Sequence, residues 1–322
     1  KISNKGWEIS VSGVPVKVKN FEWKTIFNWS KNNSMVESLP EGIDKIQIGS
    51  GVYNVKSYAE VGHPYGAIYA KTFKRDAEGY ILCQLDGSPK EGQDYEYLGC
   101  VQADWRGGWN NVFRLGNFSF SVMFDFQKGG KFFSQTSIQS SVDGQSVKSL
   151  EGRDADFFSR KILGESDEER YGFMRPQNAN TPTANGQIYP DWGRPKGVVL
   201  PNCRYDEDVE GLAGQQVLGY CTPERYWMHY TSRDISRFIY DASYVKLREI
   251  TVSYDLPKKW LRKTPFQTFR VAAVGRNIAT LFANTPHGLD PQATSTTGNA
   301  QGFERGFNLP SATYGFDIKV SF

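Results

Sequence analysis

Nowhere in this 322-residue sequence does an apolar run approach the roughly twenty residues that a membrane-spanning helix needs. Runs such as Gly197-Val198-Val199-Leu200 stop far short, so a helical membrane protein is excluded. Heptads are missing too, which excludes a coiled coil. Neither sign of charge is in excess: 38 basic against 35 acidic residues leave a net charge of +3, and no nucleic-acid partner is expected. Histidine is scarce, with His63, His229 and His287 each in a separate segment. No H-E-x-x-H, G-x-S-x-G or P-loop is present, and Lys128-Gly129-Gly130-Lys131 lacks the first glycine and the Ser/Thr of a phosphate loop. No catalytic residue or metal site is therefore assigned. The chain also opens Lys1-Ile2-Ser3 without an initiator Met or a signal peptide's apolar core, which reads as a processed or truncated product.

What is abundant is aromatic side chains, 14% of the chain, together with 32 glycines. Such an aromatic content argues against disorder. The mean hydropathy is nevertheless negative, at −0.52. Two-residue periodicity is the strongest local pattern. In residues 21–29 the odd positions are aromatic except Thr25, and in 118–126 every even position is apolar. Near the C-terminus Tyr314, Phe316, Ile318, Val320 and Phe322 alternate with polar or small residues. Successive strand side chains point to opposite faces, so each segment has one apolar and one polar face. Four more strands are expected. One runs from about Gly107 to Leu115, and another from Trp7 to Val18 with a phase slip at Gly13. A third, over Val245–Tyr254, slips in the same way, and a fourth covers Phe269–Gly275.

The connections alternate between very short and very long. Lys19-Asn20 and Gly116-Asn117 are two-residue turns followed at once by Phe, and a third short link contains Pro257. Between these hairpins lie residues 33–106, 128–242 and 282–310, too long for structureless loops of a compact domain. Tight turns at one end and long loops at the other are the pattern of an outer-membrane barrel. The expected fold class is therefore all-β. The chain would be the C-terminal portion of a large antiparallel transmembrane β-barrel, with long extracellular loops and short periplasmic turns. A soluble β-sandwich with large insertions is the alternative.

Several blocks resemble the SusC/RagA family of TonB-linked outer-membrane transporters. They are Val61-Gly62-His63-Pro64-Tyr65-Gly66, residues 104–111, Asn117-Phe118-Ser119-Phe120-Ser121, Lys128-Gly129-Gly130, residues 244–257, Val274-Gly275-Arg276-Asn277 and Gly288-Leu289-Asp290-Pro291. The resemblance implies nutrient import across the outer membrane of Bacteroidetes-type bacteria, of an oligosaccharide or a peptide. It implies a SusD-like surface lipoprotein as partner, and energy from TonB-ExbB-ExbD acting on an N-terminal plug. Large transporter barrels have about 22 strands against the seven read here, so residues 1–322 are expected to be C-terminal barrel strands and loops, with plug and N-terminal strands elsewhere.

The aromatic stripes, including Phe118, Phe120, Phe124, Phe126, Phe21, Trp23, Phe27 and Trp29, are then assigned to lipid. The opposite face, with Lys24, Asn28, Ser119, Ser121, Asp125, Gln127, Asp317 and Lys319, is assigned to the lumen, where Asp125 and Gln127 are candidate ligand contacts. Hydrogen bonding to a plug or to water is the alternative role for these polar groups. Trp192, Tyr226, Trp227 and Tyr230 concentrate aromatic surface in the longest loop, for stacking on sugars or peptide side chains or for packing the loop itself. The run Asp206-Glu207-Asp208-x-Glu210 offers oxygens to Ca²⁺ but lacks calcium-loop spacing, and a solvated acidic patch is the other reading. Four cysteines, Cys83, Cys100, Cys203 and Cys221, allow three pairings. The local one, Cys83–Cys100 with Cys203–Cys221, needs no contact between loops, and each ring of under twenty residues would contribute about 3 kcal/mol. Two other functions stay open at this stage, a soluble glycan-binding β module and a secreted β-scaffold glycosidase whose carboxylates lie far apart in sequence.

Overall fold

The computed structural model describes residues 1–150, 198–221, 223–286, 288–293, 298, 301–306 and 311–322. Strands β1 (Ile2–Val18) and β2 (Phe21–Val36) form the first hairpin. The first long connection carries β3 (Lys45–Ser50), β4 (Lys56–Glu60), β5 (Ala67–Ala70), β6 (Ile81–Cys83) and β7 (Glu96–Cys100). The second hairpin is β8 (Trp105–Leu115) and β9 (Phe118–Lys128). A second long connection holds β10 (Lys131–Ser134), helix α1 (Gln135–Val142), β11 (Val198–Tyr205), β12 (Gln216–Cys221) and β13 (Ile239–Asp241). Then come β14 (Tyr244–Asp255), a helical turn at Lys258–Leu261, β15 (Thr268–Ala283), β16 (Phe303–Glu304) and β17 (Thr313–Ser321).

Seven of these strands make one sheet in the order β1-β2-β8-β9-β14-β15-β17, antiparallel at every step. Its register explains the sequence pattern. One row of partners runs Val18, Phe21, Leu115, Phe118, Tyr254, Val271, Ile318, and the next runs Val16, Trp23, Phe113, Phe120, Val252, Ala273, Phe316. The apolar stripes of all seven strands therefore fall on a single face. Aromatic pairs knit it together, with ring centroids 5.9 Å apart for Trp23 and Phe113 and 4.6 Å for Phe118 and Tyr254. Both phase slips are bulges that preserve this face. The register shifts between Gly13 and Val16, and again between Leu247 and Glu249, where one extra residue re-aims everything after it.

Two polar side chains near the middle of the apolar face, Thr25 and Asn111, are each satisfied by a tryptophan. The Trp109 indole N–H donates to Thr25 Oγ1 at 2.9 Å, and that of Trp23 donates to Asn111 Oδ1 at 3.0 Å. The exceptional Thr25 thus has a partner on the adjacent strand.

The long connections all leave the sheet at one end and fold into a cap of three small sheets. The first contains β3, β4, β5 and β7 from one connection. The second pairs β6 of the first connection in parallel with β11 of the second, and the third joins β10 and β13 to β16 of the third connection. The three connections also share a core: Val55, Ile68 and Ala70 from the first meet Phe133, Ile138, Ile235 and Phe238 from the second and Phe303 from the third. Glu304 pins this junction. Fully buried, its carboxylate accepts from Ser134 Oγ (2.6 Å), Thr136 N (3.2 Å) and Thr136 Oγ1 (2.6 Å), capping the start of α1 from another connection.

Candidate functional site

The polar face of the sheet runs up to the cap, and where they meet the structure holds a cavity of about 410 Å³. Its lining includes Arg106, Asp125, Gln127, Lys131, Tyr244 and Gln292. The register builds it, since Arg106, Gln127 and Tyr244 are direct partners across three strands, and Asp125 is the partner of Lys246 in the next row. Arg248 is the bulged residue of β14, unpaired between Leu247 and Glu249, and the bulge keeps it on this face beside Asp125.

The polar groups form one continuous network. Arg106 Nε donates to Gln127 Oε1 at 2.9 Å, and Gln127 Nε2 donates to the carbonyls of Gly129 and Ala242 at 3.2 and 3.1 Å. Tyr244 Oη donates to Asp125 at 3.2 Å, and Arg248 pairs with the same carboxylate while donating to Gln292 and Asn277, each at 2.7 Å. Lys246 is 5% exposed and holds both carboxylate oxygens of Asp290 at 2.6 Å. A buried ammonium is tolerated only with such pairing. Lys246 also reaches Gln292 at 2.9 Å, so the third connection is fastened to the sheet by the site's own side chains. Chemically the groove presents guanidinium, ammonium, carboxylate, amide and phenol groups to one space, with no nucleophile–base pair among its lining.

No family model matches the chain. The chain is 23% identical to TonB-dependent receptor P3 of Formosa agariphila, over 98% of this chain and 27% of that receptor. It is 21% identical to TonB-dependent receptor P39 of the same organism, over 41% of this chain and 17% of that one. Among solved structures it superposes over its whole length on the RagAB peptide importer, with TM-scores of 0.55 in the 'open-open' state and 0.56 in the 'closed-closed' state, at 15% identity. Its fold is the one that a stretch of the RagAB importer chain adopts. The segment spans 27% of the first curated receptor and 29–30% of the importer chains.

Within this fold the residues singled out in the sequence separate into distinct places. Asp125 and Gln127 come together in the groove, as their shared face requires. Tyr226, Trp227 and Tyr230 do not join them, and their reading as ligand-contacting surface is corrected here: they are 0%, 1% and 2% exposed, in a core with Phe73, Val198 and Val217. A π-helical turn, Tyr226–Tyr230, puts these three inward and leaves Met228 and His229 outside. Trp192 lies outside the described residues. The Asp206 carboxylate receives Lys74 at 2.9 Å and Lys90 at 2.7 Å, and Lys90 also pairs with Asp208. Among the described residues no cluster of three His, Cys, Asp or Glu side chains is arranged to hold a metal. No disulfide bond is drawn among the four cysteines in this structure, and Cys83 and Cys100 lie on strands of different sheets, so the structure does not bring these local partners together.

Arg106, Tyr244, Lys246, Arg248, Asp290 and Gln292 were missed as site residues. Tyr244, Lys246 and Arg248 alternate with Val245 and Leu247, so their shared polar face was readable. Their convergence with Asp290 and Gln292 from a distant connection was not.

Proposed function

We propose that this segment forms part of the wall and outer cap of an outer-membrane, TonB-dependent importer. The observation that supports it most is the open apolar face. Phe118 is 58% exposed, Ile318 63% and Phe316 91%, all on one side of a seven-stranded antiparallel sheet whose long connections gather at one end. A soluble protein does not leave so broad an apolar face uncovered. Lipid would cover it, each side chain contributing roughly 1.5–3 kcal/mol when buried. The opposite face would line the lumen, and the cap would stand outside the cell.

The groove under the cap is the solute path in this proposal. Its paired charges, amides and phenol suit a peptide or an oligosaccharide, and the likeness to a peptide importer supports the former. A SusD-like surface lipoprotein would close over the cap, and TonB-ExbB-ExbD would drive uptake through the rest of the protein. No cofactor enters the proposal.

The test uses the full-length protein. It is expected to need detergent, to migrate faster unheated than heated on gels, and to support TonB-dependent uptake of a labelled oligopeptide or oligosaccharide mixture. A protein that is monodisperse in plain buffer and binds sugar on its own would instead be a soluble glycan-binding module, and the transport proposal would fall.

A further inference from the structure

Three of the four cysteines share one buried core of the cap: Cys83 on β6, Cys203 on β11 and Cys221 on β12. The strands β6 and β11 come from different long connections and pair in parallel, with Cys203 opposite Ile81 and Tyr205 opposite Cys83. The two cysteines are thus diagonal neighbours two positions apart, on the same side of adjacent strands. Both side chains are fully buried in that core. Gly219 on β12 makes the room: a Cβ there would lie 2.5 Å from the Cys203 sulfur. Cys221 belongs to the same core but lies four residues beyond Val217, the cross-strand partner of Cys203, and Cys100 lies in another sheet with its sulfur 3.5 Å from the Tyr65 carbonyl.

We propose that Cys83 and Cys203 are joined as a disulfide in the mature protein, a covalent strap between the first and second long connections. The proposal rests on the outer-surface placement given above, because an oxidising exterior is what lets such a bond persist. In the reaction a Cys83 or Cys203 thiolate attacks the disulfide of a cell-envelope thiol–disulfide oxidoreductase, and the second cysteine displaces that enzyme from the mixed disulfide. One S–S bond forms and one breaks. The two cysteines lose two protons and two electrons, and the oxidoreductase leaves as its dithiol.

The timing follows from burial. Contact with Cys203 and burial push the Cys83 thiol well up, and burial pushes that of Cys221 up to about 12, so neither of these two packed thiols offers much thiolate. The bond must therefore be made while the cap is still open, after which packing shields it from reductant. Noncovalent ties between the same two connections already exist, in Lys74 and Lys90 with Asp206, Arg204 with Asp76, and Arg225 with Asp86. Salt weakens the more exposed of these and leaves a disulfide untouched.

The full-length protein, taken from the outer-membrane fraction into denaturant with excess alkylating agent and digested without reductant, tests this. The peptides carrying Cys83 and Cys203 are expected joined, with Cys100 and Cys221 alkylated. Cys83→Ser is expected to turn Cys203 from unreactive to fully alkylated. Recovery of Cys83 and Cys203 both alkylated, or of Cys83 joined to Cys100, overturns the strap. Protease accessibility on intact cells then tells whether the outer-surface reading falls with it or stands alone.

Discussion

Around Phe124 the apolar side chains of the open face are matched across the strands by one another, so a single charge there has no neighbour to absorb it. Phe124→Arg, placed between Trp109 and Leu247, is expected to cost about 2–4 kcal/mol near a bilayer midplane and to abolish the folded, heat-modifiable species. Asn28→Arg, on the polar face, is expected to leave that species in place, and equal loss from both would remove the lipid assignment. Glu304 makes a different kind of commitment, because its carboxylate serves donors from Ser134 and Thr136 in a site closed to water. Glu304→Ala strands those donors at about 1–3 kcal/mol for each one left unpaired. Limited proteolysis would register this as cleavage of the cap with the wall intact.

Bulges and ion pairs carry the element scale. Deleting Arg248 removes the extra residue of β14 and restores plain alternation, with Ile250, Val252 and Tyr254 still on the face of Val245 and Leu247. The expected result is assembly with the hold on Asp125 lost, as for Arg248→Ala, whereas deleting Thr251 from the regular stretch sends Val252 and Tyr254 to the polar face and is expected to abolish assembly. The cap's seams should be acid-labile. Burial alone would raise the Asp206 and Asp86 carboxyls, yet hydrogen bonds to Lys90 and Lys74, and to Ser88 and Arg225, hold both below their ordinary values. A depressed carboxylate lends its stability above the unfolded pKa of about 4 and loses it as pH falls through the lower folded value. Protease protection of the cap is therefore expected to be level from pH 7 to about 5 and to decline below about 4. A cap that loosens on raising the pH instead would show that these pairs do not hold it.

At the scale of the molecule, the wall is built to be continued and the cap to be self-sufficient. Among the described residues β1 and β17 are the two ends of the large sheet, each with one ladder unpaired, which closure with further strands would satisfy. The cap has its own cores, its own sheets and partners drawn from all three connections. The wall and cap meet in one polar seam, Lys246 and Arg248 against Asp290 and Gln292. Lys246→Met removes the ammonium that holds Asp290 and leaves a carboxylate without its cation. Uptake is expected to fall while the amount of assembled protein in the outer membrane stays near normal, and unchanged uptake would mean that the seam plays no part in passage.

Strand positions, their two faces and both phase slips followed from the chain itself, because alternation in a sheet is a local property that the next residue but one already determines. Seven strands and the ends from which long connections leave were legible for the same reason. The interior of those connections was not. That Tyr226, Trp227 and Tyr230 turn inward, that Cys83 meets Cys203 and that Asp290 reaches Lys246 depend on contacts between segments from 44 to more than a hundred residues apart. No local periodicity encodes such meetings. They are decided when three loops compete for the same buried volume, and only the folded cap records which side chains won it.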